Sequence, residues 1–205
     1  MTERPTEALH PHSKGLHSAP AADVLAYLLE AQIGALKSIR PALAAIGEAA
    51  EAAAAALGAG HRLAYAGAGS SGLMALADCL ELAGTFGIAP ERTPVLFAGG
   101  TGALLHLTGA VEDDPAQATA DLDRVALRPG DAVLCLSASG STPYTLAVAR
   151  GAKTQGATVI GLANVPGSAL LALADVPVLL DSGPEVIAGS TRMGAASAQK
   201  VALNM

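Results

Sequence analysis

The fold of this chain is decided by the stretch Leu63-Ala64-Tyr65-Ala66-Gly67-Ala68-Gly69-Ser70-Ser71-Gly72, an apolar run that ends in a turn of glycine and serine and opens into a helix. A turn of this kind binds anions, because its glycines let the backbone approach a ligand and the free amides of the first helical turn point at it. A second turn of the same design, Ser137-Ala138-Ser139-Gly140-Ser141-Thr142, follows the apolar run 133–136. Two anion-binding turns in one small domain call for a common explanation.

Short apolar runs alternate with helical patterns along the rest of the chain. Strands are predicted near residues 62–66, 94–98, 132–136, 158–163 and 176–180. Helices are predicted near residues 23–39, 42–57, 71–83, 115–125, 143–154 and 191–204, with a weaker turn at 102–107. This alternation predicts an α/β fold, a three-layer sandwich in which helices cover both faces of a five-stranded parallel sheet.

Residues 1–22 predict an irregular N-terminal arm, because they hold prolines and few large apolar residues. His10, His12 and His17 in this arm fit solvated side chains better than metal ligands. Residues 23–205 are expected to form one domain that includes two N-terminal helices. Asp23 can cap the first of these helices, and Pro41 ends it or starts the second.

Composition argues against nucleic-acid-binding and membrane proteins. The net charge is −6 and no basic cluster occurs, which argues against a nucleic-acid surface. The chain has no signal pattern and no apolar run of membrane-spanning length, so we expect a soluble protein without a membrane partner. Cys79 and Cys135 lie inside apolar segments and form no metal or disulfide pattern, which favours a reducing cytoplasm.

The first turn also matches the G-x-G-x-x-G spacing of dinucleotide-binding proteins. Those proteins need an acidic residue after the second strand, whereas here the sequence is Phe97-Ala98-Gly99-Gly100. The second turn offers the hydroxyls of Ser137, Ser139 and Thr142 beside a helix start, which suits one phosphate group. Ligands of parallel sheets lie at the carboxyl ends of the strands, so the two turns together favour a phosphorylated small molecule.

Several segments together resemble the sugar isomerase (SIS, phosphosugar-binding) domain family and, more narrowly, the N-acetylmuramic acid 6-phosphate etherases. They are Gly67–Gly72, Gly84-Thr85-Phe86-Gly87, Ala98-Gly99-Gly100, Glu112-Asp113-Asp114-Pro115, Ser139-Gly140-Ser141-Thr142-Pro143-Tyr144, and residues 183–204 with Gly189-Ser190-Thr191-Arg192-Met193 and Ala198-Gln199-Lys200. The last segment is the most specific, because it is long and matches no general structural pattern.

The resemblance implies a flavodoxin-like SIS domain, a homodimer and a sugar phosphate held by the serine and threonine turn. It also implies a lyase without cofactor or metal that serves the recycling of cell-wall sugars. In that reaction a base removes the C2 proton of the open-chain sugar, D-lactate leaves from C3, and water adds to give N-acetylglucosamine 6-phosphate. Such chemistry requires carboxylates as base and acid.

The resemblance places the two catalytic carboxylates at Glu81 and Asp113. Without the resemblance, Glu81 would be read as an exposed carboxylate at a helix end; with it, the apolar neighbours of Glu81 fit a partly desolvated general base. Asp113 would be the acid partner, although an acidic cluster before Pro115 also fits an ordinary helix start. The residues expected to contact the substrate or its phosphate are Ser70, Ser71, Ser137, Ser139, Thr142, Glu185, Ser190 and Arg192.

The chain departs from the etherases at three positions that usually carry basic residues, here Leu73, Ser141 and Gly194. Either the lactyl carboxylate is recognised differently or the substrate is another sugar phosphate. Two alternatives therefore stay open. One is an aldose–ketose isomerase with Glu185 as the proton-transfer base, where Glu185 could equally serve only to position the turn at Ser190. The other is a non-catalytic regulator that binds a sugar phosphate.

Overall fold

A computed structural model describes residues 8–107 and 109–205, so residues 1–7 of the expected N-terminal arm lie outside it. The helices are α1 (Ala21–Leu36), α2 (Ile39–Gly58), α3 (Gly69–Phe86), α4 (Gly100–Leu105), α5 (Pro115–Val125), α6 (Pro143–Thr154), α7 (Ala169–Leu173) and α8 (Gly194–Leu203). The strands are β1 (Leu63–Gly67), β2 (Val95–Phe97), β3 (Ala132–Ser137), β4 (Thr158–Ala163) and β5 (Val176–Leu179).

The five strands form one parallel sheet in the order β2-β1-β3-β4-β5, which confirms the predicted fold class. Gly67 at the end of β1 pairs in register with Leu136 near the end of β3. The chain turns to opposite sides of the sheet after these two neighbouring strands, and such a reversal opens a crevice at their carboxyl ends. Both glycine- and serine-rich turns begin there.

Helices cover both faces of the sheet. On one face α2, α3 and α8 pack over a core that includes Leu63, Tyr65 and Leu136. On the other face α5, α6 and α7 pack over a core that includes Val133, Val148 and Leu170. Every residue of β1 is buried, because a strand in the middle of such a sandwich has no solvent-facing side.

Several helix boundaries differ from the predictions. Asp23 lies in the first turn of α1 rather than at its cap, which is Pro20. Pro41 belongs to the first turn of α2, where the missing N–H of proline removes no helical hydrogen bond. The five-residue helix α7 was not predicted, because it is shorter than the spacing of apolar residues can reveal. Helix α8 begins at Gly194, three residues later than expected.

The described part of the N-terminal arm forms two short 3-10 turns, Pro11–Ser13 and Leu16–Ser18, rather than wholly irregular chain. The Ser13 hydroxyl donates to the carbonyl oxygen of Val186 at 2.7 Å. The ring of His12 stacks on Tyr27 of α1 with their centroids 4.1 Å apart. These contacts tie the arm to α1 and to the loop before α8.

Helix α1 packs against α8 rather than on the sheet. Its outer face carries exposed apolar side chains at three- and four-residue spacing, namely Leu25, Leu29, Ile33 and Leu36. Helix α2, in contrast, packs on its own sheet. None of the helices in the described residues combines the length and the apolar character that crossing a membrane requires.

Candidate functional site

Two glycines of the first turn let strand β1 and helix α3 approach each other. A Cβ added to Gly67 would lie 2.9 Å from the Cα of Gly72, and one added to Gly72 would lie 2.7 Å from the ring of Phe97. These glycines therefore allow β1 and α3 to pack closely, whereas the sequence predicted that they bring the backbone close to a ligand.

Ser71 connects the two turns. Its hydroxyl accepts a hydrogen bond from the amide of Ala138 at 3.2 Å, and the side chain is buried. The first turn thereby fixes the position of the second, across the boundary between β1 and β3. Ser70, the neighbouring residue, is partly exposed and faces the crevice.

The hydroxyls of the second turn form a cluster. Ser137 is buried, with its Oγ 2.8 Å from the Oγ1 of Thr142 and 3.4 Å from the Oγ of Ser139. Ser139 in turn accepts hydrogen bonds from the amide and the hydroxyl of Ser141, at 3.2 and 3.1 Å. Ser137 thus holds the other two hydroxyls in place, and Ser139 and Thr142 face the crevice.

A polar cavity of about 220 Å³ lies where the turns meet. It is lined by Ala68, Ser70, Ser71, Glu112, Ala138, Ser139, Thr142, Gly189 and Thr191. Helices α3 and α6 both begin at this cavity, so the positive ends of two helix dipoles favour an anion there. Within the described part of the chain the lining includes neither lysine nor arginine, so the attraction that these residues offer an anion comes from helix ends and hydroxyl groups.

Among the residues that the structure describes, Glu112 is the one carboxylate that lines this cavity. It is half-buried beside Gly69, whose φ of +51° is left-handed and where an added Cβ would overlap the Glu112 carboxylate. Burial raises the pKa of Glu112, and the negative charge of Asp113 raises it further. A carboxyl group in this setting keeps its proton to a higher pH than usual, which suits a proton donor.

Asp113, the expected acid partner, is exposed and is not among the residues that line the cavity. Asp114 caps α5, accepting hydrogen bonds from the amides of Ala116 at 2.9 Å and Gln117 at 3.2 Å. The three acidic residues thus differ in place: Glu112 lines the cavity, Asp114 caps α5, and the predicted acid Asp113 lies between them outside the lining. The spacing could not distinguish them, because Glu112 and Asp113 belong to the same turn of 3-10 helix.

Glu81 lies away from the cavity in a single chain. It follows Ser70 by 11 residues along α3, a separation of about 16 Å at 1.5 Å per residue. Its side chain is 67% exposed, so the expectation of a partly desolvated carboxylate is wrong for the isolated chain. Lys200 of α8 is its partner, with the Nζ 3.5 Å from Oε2 of Glu81.

Glu185 is buried and occupies the N-terminus of α8. Its carboxylate accepts hydrogen bonds from the amides of Gly194 at 3.0 Å and Ala195 at 2.8 Å. It therefore caps α8. Among the two readings that the sequence left open for Glu185, this geometry favours the positioning one, since the carboxylate is not part of the cavity lining.

Ser190 and Arg192 alternate with the lining residues Gly189 and Thr191 in the loop before α8. Arg192 is exposed and forms no hydrogen bond or ion pair with the residues that the structure describes. The predicted residues Ser190 and Arg192 thus belong to the loop that borders the cavity, although its lining residues there are Gly189 and Thr191. Over residues 8–107 and 109–205, no three His, Cys, Asp or Glu side chains come together as metal ligands would.

Comparison with known proteins gives the family. The SIS domain family model matches residues 29–164. The chain is 43% identical over its whole length to an N-acetylmuramic acid 6-phosphate etherase of Deinococcus radiodurans, of which it covers 67%. It is 46% identical over 73% of its length to an enzyme of that name from Rubrobacter xylanophilus, and covers 50% of it. The chain thus spans two thirds or less of the length of these relatives.

Solved structures share the fold at low sequence identity. A phosphoheptose isomerase from Francisella tularensis is 18% identical, with a TM-score of 0.65, over 91% of this chain and 99% of that one. The Vibrio vulnificus NanR protein complexed with ManNAc-6P is 15% identical, with a TM-score of 0.62, over 89% and 60% of the two chains. The sequence match to the SIS model and the identity to the etherases over nearly the whole chain agree with this fold. The chain therefore belongs to the SIS domain family and, within it, to the N-acetylmuramic acid 6-phosphate etherases.

Proposed function

We propose that this protein is a lyase that cleaves the lactyl ether of N-acetylmuramic acid 6-phosphate, giving N-acetylglucosamine 6-phosphate and D-lactate. The observation that supports this activity is the cavity itself, where hydroxyls, two helix N-termini and the carboxyl of Glu112 share one space. The phosphate lies against Ser70, Ser139 and Thr142. This anchor places the sugar carbons toward Glu112, and its binding energy orients them.

The reaction needs one proton removed and one delivered. A base takes the C2 proton, which is acidic because C1 of the open-chain sugar is an aldehyde. The electron pair forms the C2–C3 double bond as the C3–O bond breaks, and an acid protonates the departing lactate oxygen. Water then adds at C3 and a proton returns to C2. We assign the acid to Glu112, in place of Asp113, because Glu112 lines the cavity and because burial and the charge of Asp113 raise its pKa, so that it holds its proton more strongly than an exposed carboxyl group.

We assign the base to Glu81 of a second copy, which makes the enzyme a homodimer. The separation of about 16 Å along α3 keeps Glu81 from the cavity of its own chain. The exposed apolar face of α1 offers a surface on which two copies can associate. The two cysteines, both free and buried, fit a reducing cytoplasm as the place of action.

The assignment of Glu112 is tested by enzymatic release of D-lactate from N-acetylmuramic acid 6-phosphate. Glu112→Gln is expected to lower kcat by about 10²–10⁴-fold, the usual contribution of a general acid or base. Asp113→Asn, its neighbour outside the cavity, is the matched control and should retain most activity. The proposal fails if the wild-type protein releases no lactate, or if Asp113→Asn loses as much activity as Glu112→Gln.

The shared site is tested by mixing Glu81→Gln with Glu112→Gln subunits, each inactive alone. Random mixing makes half of the dimers mixed, and each mixed dimer has one intact site, so about a quarter of wild-type activity should return. If both carboxylates acted within one chain, the mixture would stay inactive. Leu29→Glu on α1 should weaken the dimer in sedimentation experiments.

The isomerase alternative depends on Glu185, whose carboxylate is held by the amides of α8. It predicts exchange of the C2 proton with solvent without lactate release, and abolition of that exchange in Glu185→Gln. The regulator alternative predicts tight binding of a sugar phosphate with no turnover, dependent on Ser139 and Thr142 but not on Glu81. The same assays therefore separate all three functions.

A further inference from the structure

A row of polar side chains runs from the buried sheet to the surface beside Glu81. The hydroxyl of Tyr65, on β1, donates to Oδ2 of Asp78 at 2.8 Å. Oδ1 of Asp78 lies 3.7 Å from the Nζ of Lys200, and that Nζ lies 3.5 Å from Oε2 of Glu81. Lys200 on α8 thus stands between a buried carboxylate and an exposed one, both on α3.

The buried members of this row of polar groups, Tyr65 and Asp78, reduce the stability of the fold. Asp78 is buried, and the loss of hydration raises its pKa although Tyr65 and Lys200 both favour its charged form. Burial, together with the charge of Asp78, raises the pKa of Tyr65 as well. An apolar residue at position 78 would avoid this cost, because buried ion pairs are weak contributors to stability. We therefore expect this arrangement to have a role other than packing.

The geometry indicates that Asp78 restricts the position of Lys200. An exposed carboxylate paired with a free lysine gains little order, because both side chains are flexible and water screens their attraction. Asp78 removes the freedom of the lysine, since it holds the ammonium from the buried side and is itself fixed by Tyr65. The ammonium then presents one defined position to Glu81.

We propose that Lys200, fixed by Asp78 and Tyr65, is a positioning residue that holds the carboxylate of Glu81 in the orientation from which it acts on C2 of the sugar. This inference rests on the proposed function, in which Glu81 is the base. It concerns residues of α8 and β1 that lie outside the cavity and touch no substrate. Among the described residues, Lys200 and Asp78 interact with Glu81 itself, whereas Tyr65 and Cys79 interact with Asp78.

The test measures kcat and KM for lactate release, together with exchange of the C2 proton. Lys200→Met is expected to lower kcat and the exchange rate by about 10- to 100-fold, the effect of misplacing a reacting group by about 1 Å. KM should change little, because the phosphate is bound elsewhere. Lys200→Arg should recover most of kcat, since its guanidinium can reach both carboxylates.

The matched control is Lys153→Met, which breaks a similar ion pair far from the cavity, between Lys153 of α6 and Asp175. It should leave kcat unchanged. A double-mutant cycle completes the test, because Asp78→Asn keeps the shape of the side chain but frees the lysine. If the two residues act as one unit, Asp78→Asn combined with Lys200→Met should lose no more kcat than the larger single loss.

The inference is overturned if Lys200→Met lowers only the melting temperature while kcat stays at the wild-type level, because Lys200 would then merely join α8 to α3. It is also overturned if the losses of Asp78→Asn and Lys200→Met multiply. Failure of the proposed function gives a different result from failure of this inference. The wild type would then release no lactate, or Glu81→Gln would remain active. In that case this inference falls with it.

Discussion

The substitution Asp131→Asn tests how the beginnings of β1 and β3 are held together, at the end of the sheet opposite the cavity. Asp131 directly precedes β3 and is 2% exposed. Its carboxylate accepts from the amide of Arg62 at 2.9 Å, from the guanidinium of Arg62 at 2.6 and 3.0 Å, and from the amide of Arg128 at 2.9 Å. One charged group therefore fixes two central strands whose other ends carry the two glycine- and serine-rich turns.

The expected loss is about 2–3 kcal/mol of unfolding free energy. Removing one partner of a buried ion pair costs about 3–5 kcal/mol. The Arg62 side chain is 22% exposed and asparagine can keep some of the hydrogen bonds, so the loss should fall below that range. In a domain of this size it corresponds to a decrease in melting temperature of about 4–12 °C.

The loss should depend on pH in a defined direction. Burial alone would raise the pKa of Asp131, but the hydrogen bonds from Arg62 and Arg128 outweigh burial and hold the pKa below its usual range. A carboxylate with a lowered pKa stabilises the fold above the unfolded value of about 4, and this contribution disappears as the pH falls through the folded value. The difference between wild type and Asp131→Asn should be full at pH 7 and shrink below about pH 4.

Urea unfolding followed by circular dichroism at several pH values measures this difference. The control is Asp123→Asn, an exposed carboxylate on α5. A change of less than about 0.5 kcal/mol in the unfolding free energy of Asp131→Asn at pH 7, the range of ordinary surface substitutions, would contradict the role given to Asp131. A large difference that stays constant down to pH 3 would also contradict it.

Two further predictions concern the cavity. Gly69→Ala is expected to displace Glu112 and to lower lactate release by at least about tenfold, because the site combines a left-handed φ with direct contact to the carboxylate. Gly84→Ala, in open space on the same helix, should leave activity unchanged and stabilise by about 0.4–1 kcal/mol in thermal unfolding. Ser71→Ala is expected to raise KM about three- to tenfold with little change in kcat, because it frees the second turn from the first. Steady-state kinetics measure both activity effects, and an unchanged KM in Ser71→Ala would contradict the coupling of the turns.

The fold was predictable because it depends on local patterns. Continuous apolar runs of five or six residues, each followed by glycine and a helical pattern, specify strands buried on both faces and joined by helices. The runs at 132–136 and 158–163 appear as β3 and β4 with bounds that differ by at most one residue. The misses, α7 and the start of α8, lie where a helix is short or where its cap comes from a distant side chain.

The candidate site was predictable in part for the same reason. Ser70, Ser139 and Thr142 line the cavity because their place in a strand–turn–helix unit determines where they point. The carboxylate in the cavity was not predictable, because nothing in Glu112-Asp113-Asp114 indicates which side chain faces inward. Glu185 was equally ambiguous, since only the packing of α8 shows that its carboxylate accepts two backbone amides.

The parallel sheet and the position of the two turns follow from the sequence alone, because strand, turn and helix patterns are local properties. Only the packing of the helices on the sheet shows which carboxyl group enters the cavity, that Ser71 joins the two turns, and that the exposed carboxylate of Glu81 lies 3.5 Å from the ammonium of Lys200. These features join residues distant in sequence, and their distances follow only when the helices are packed on the sheet.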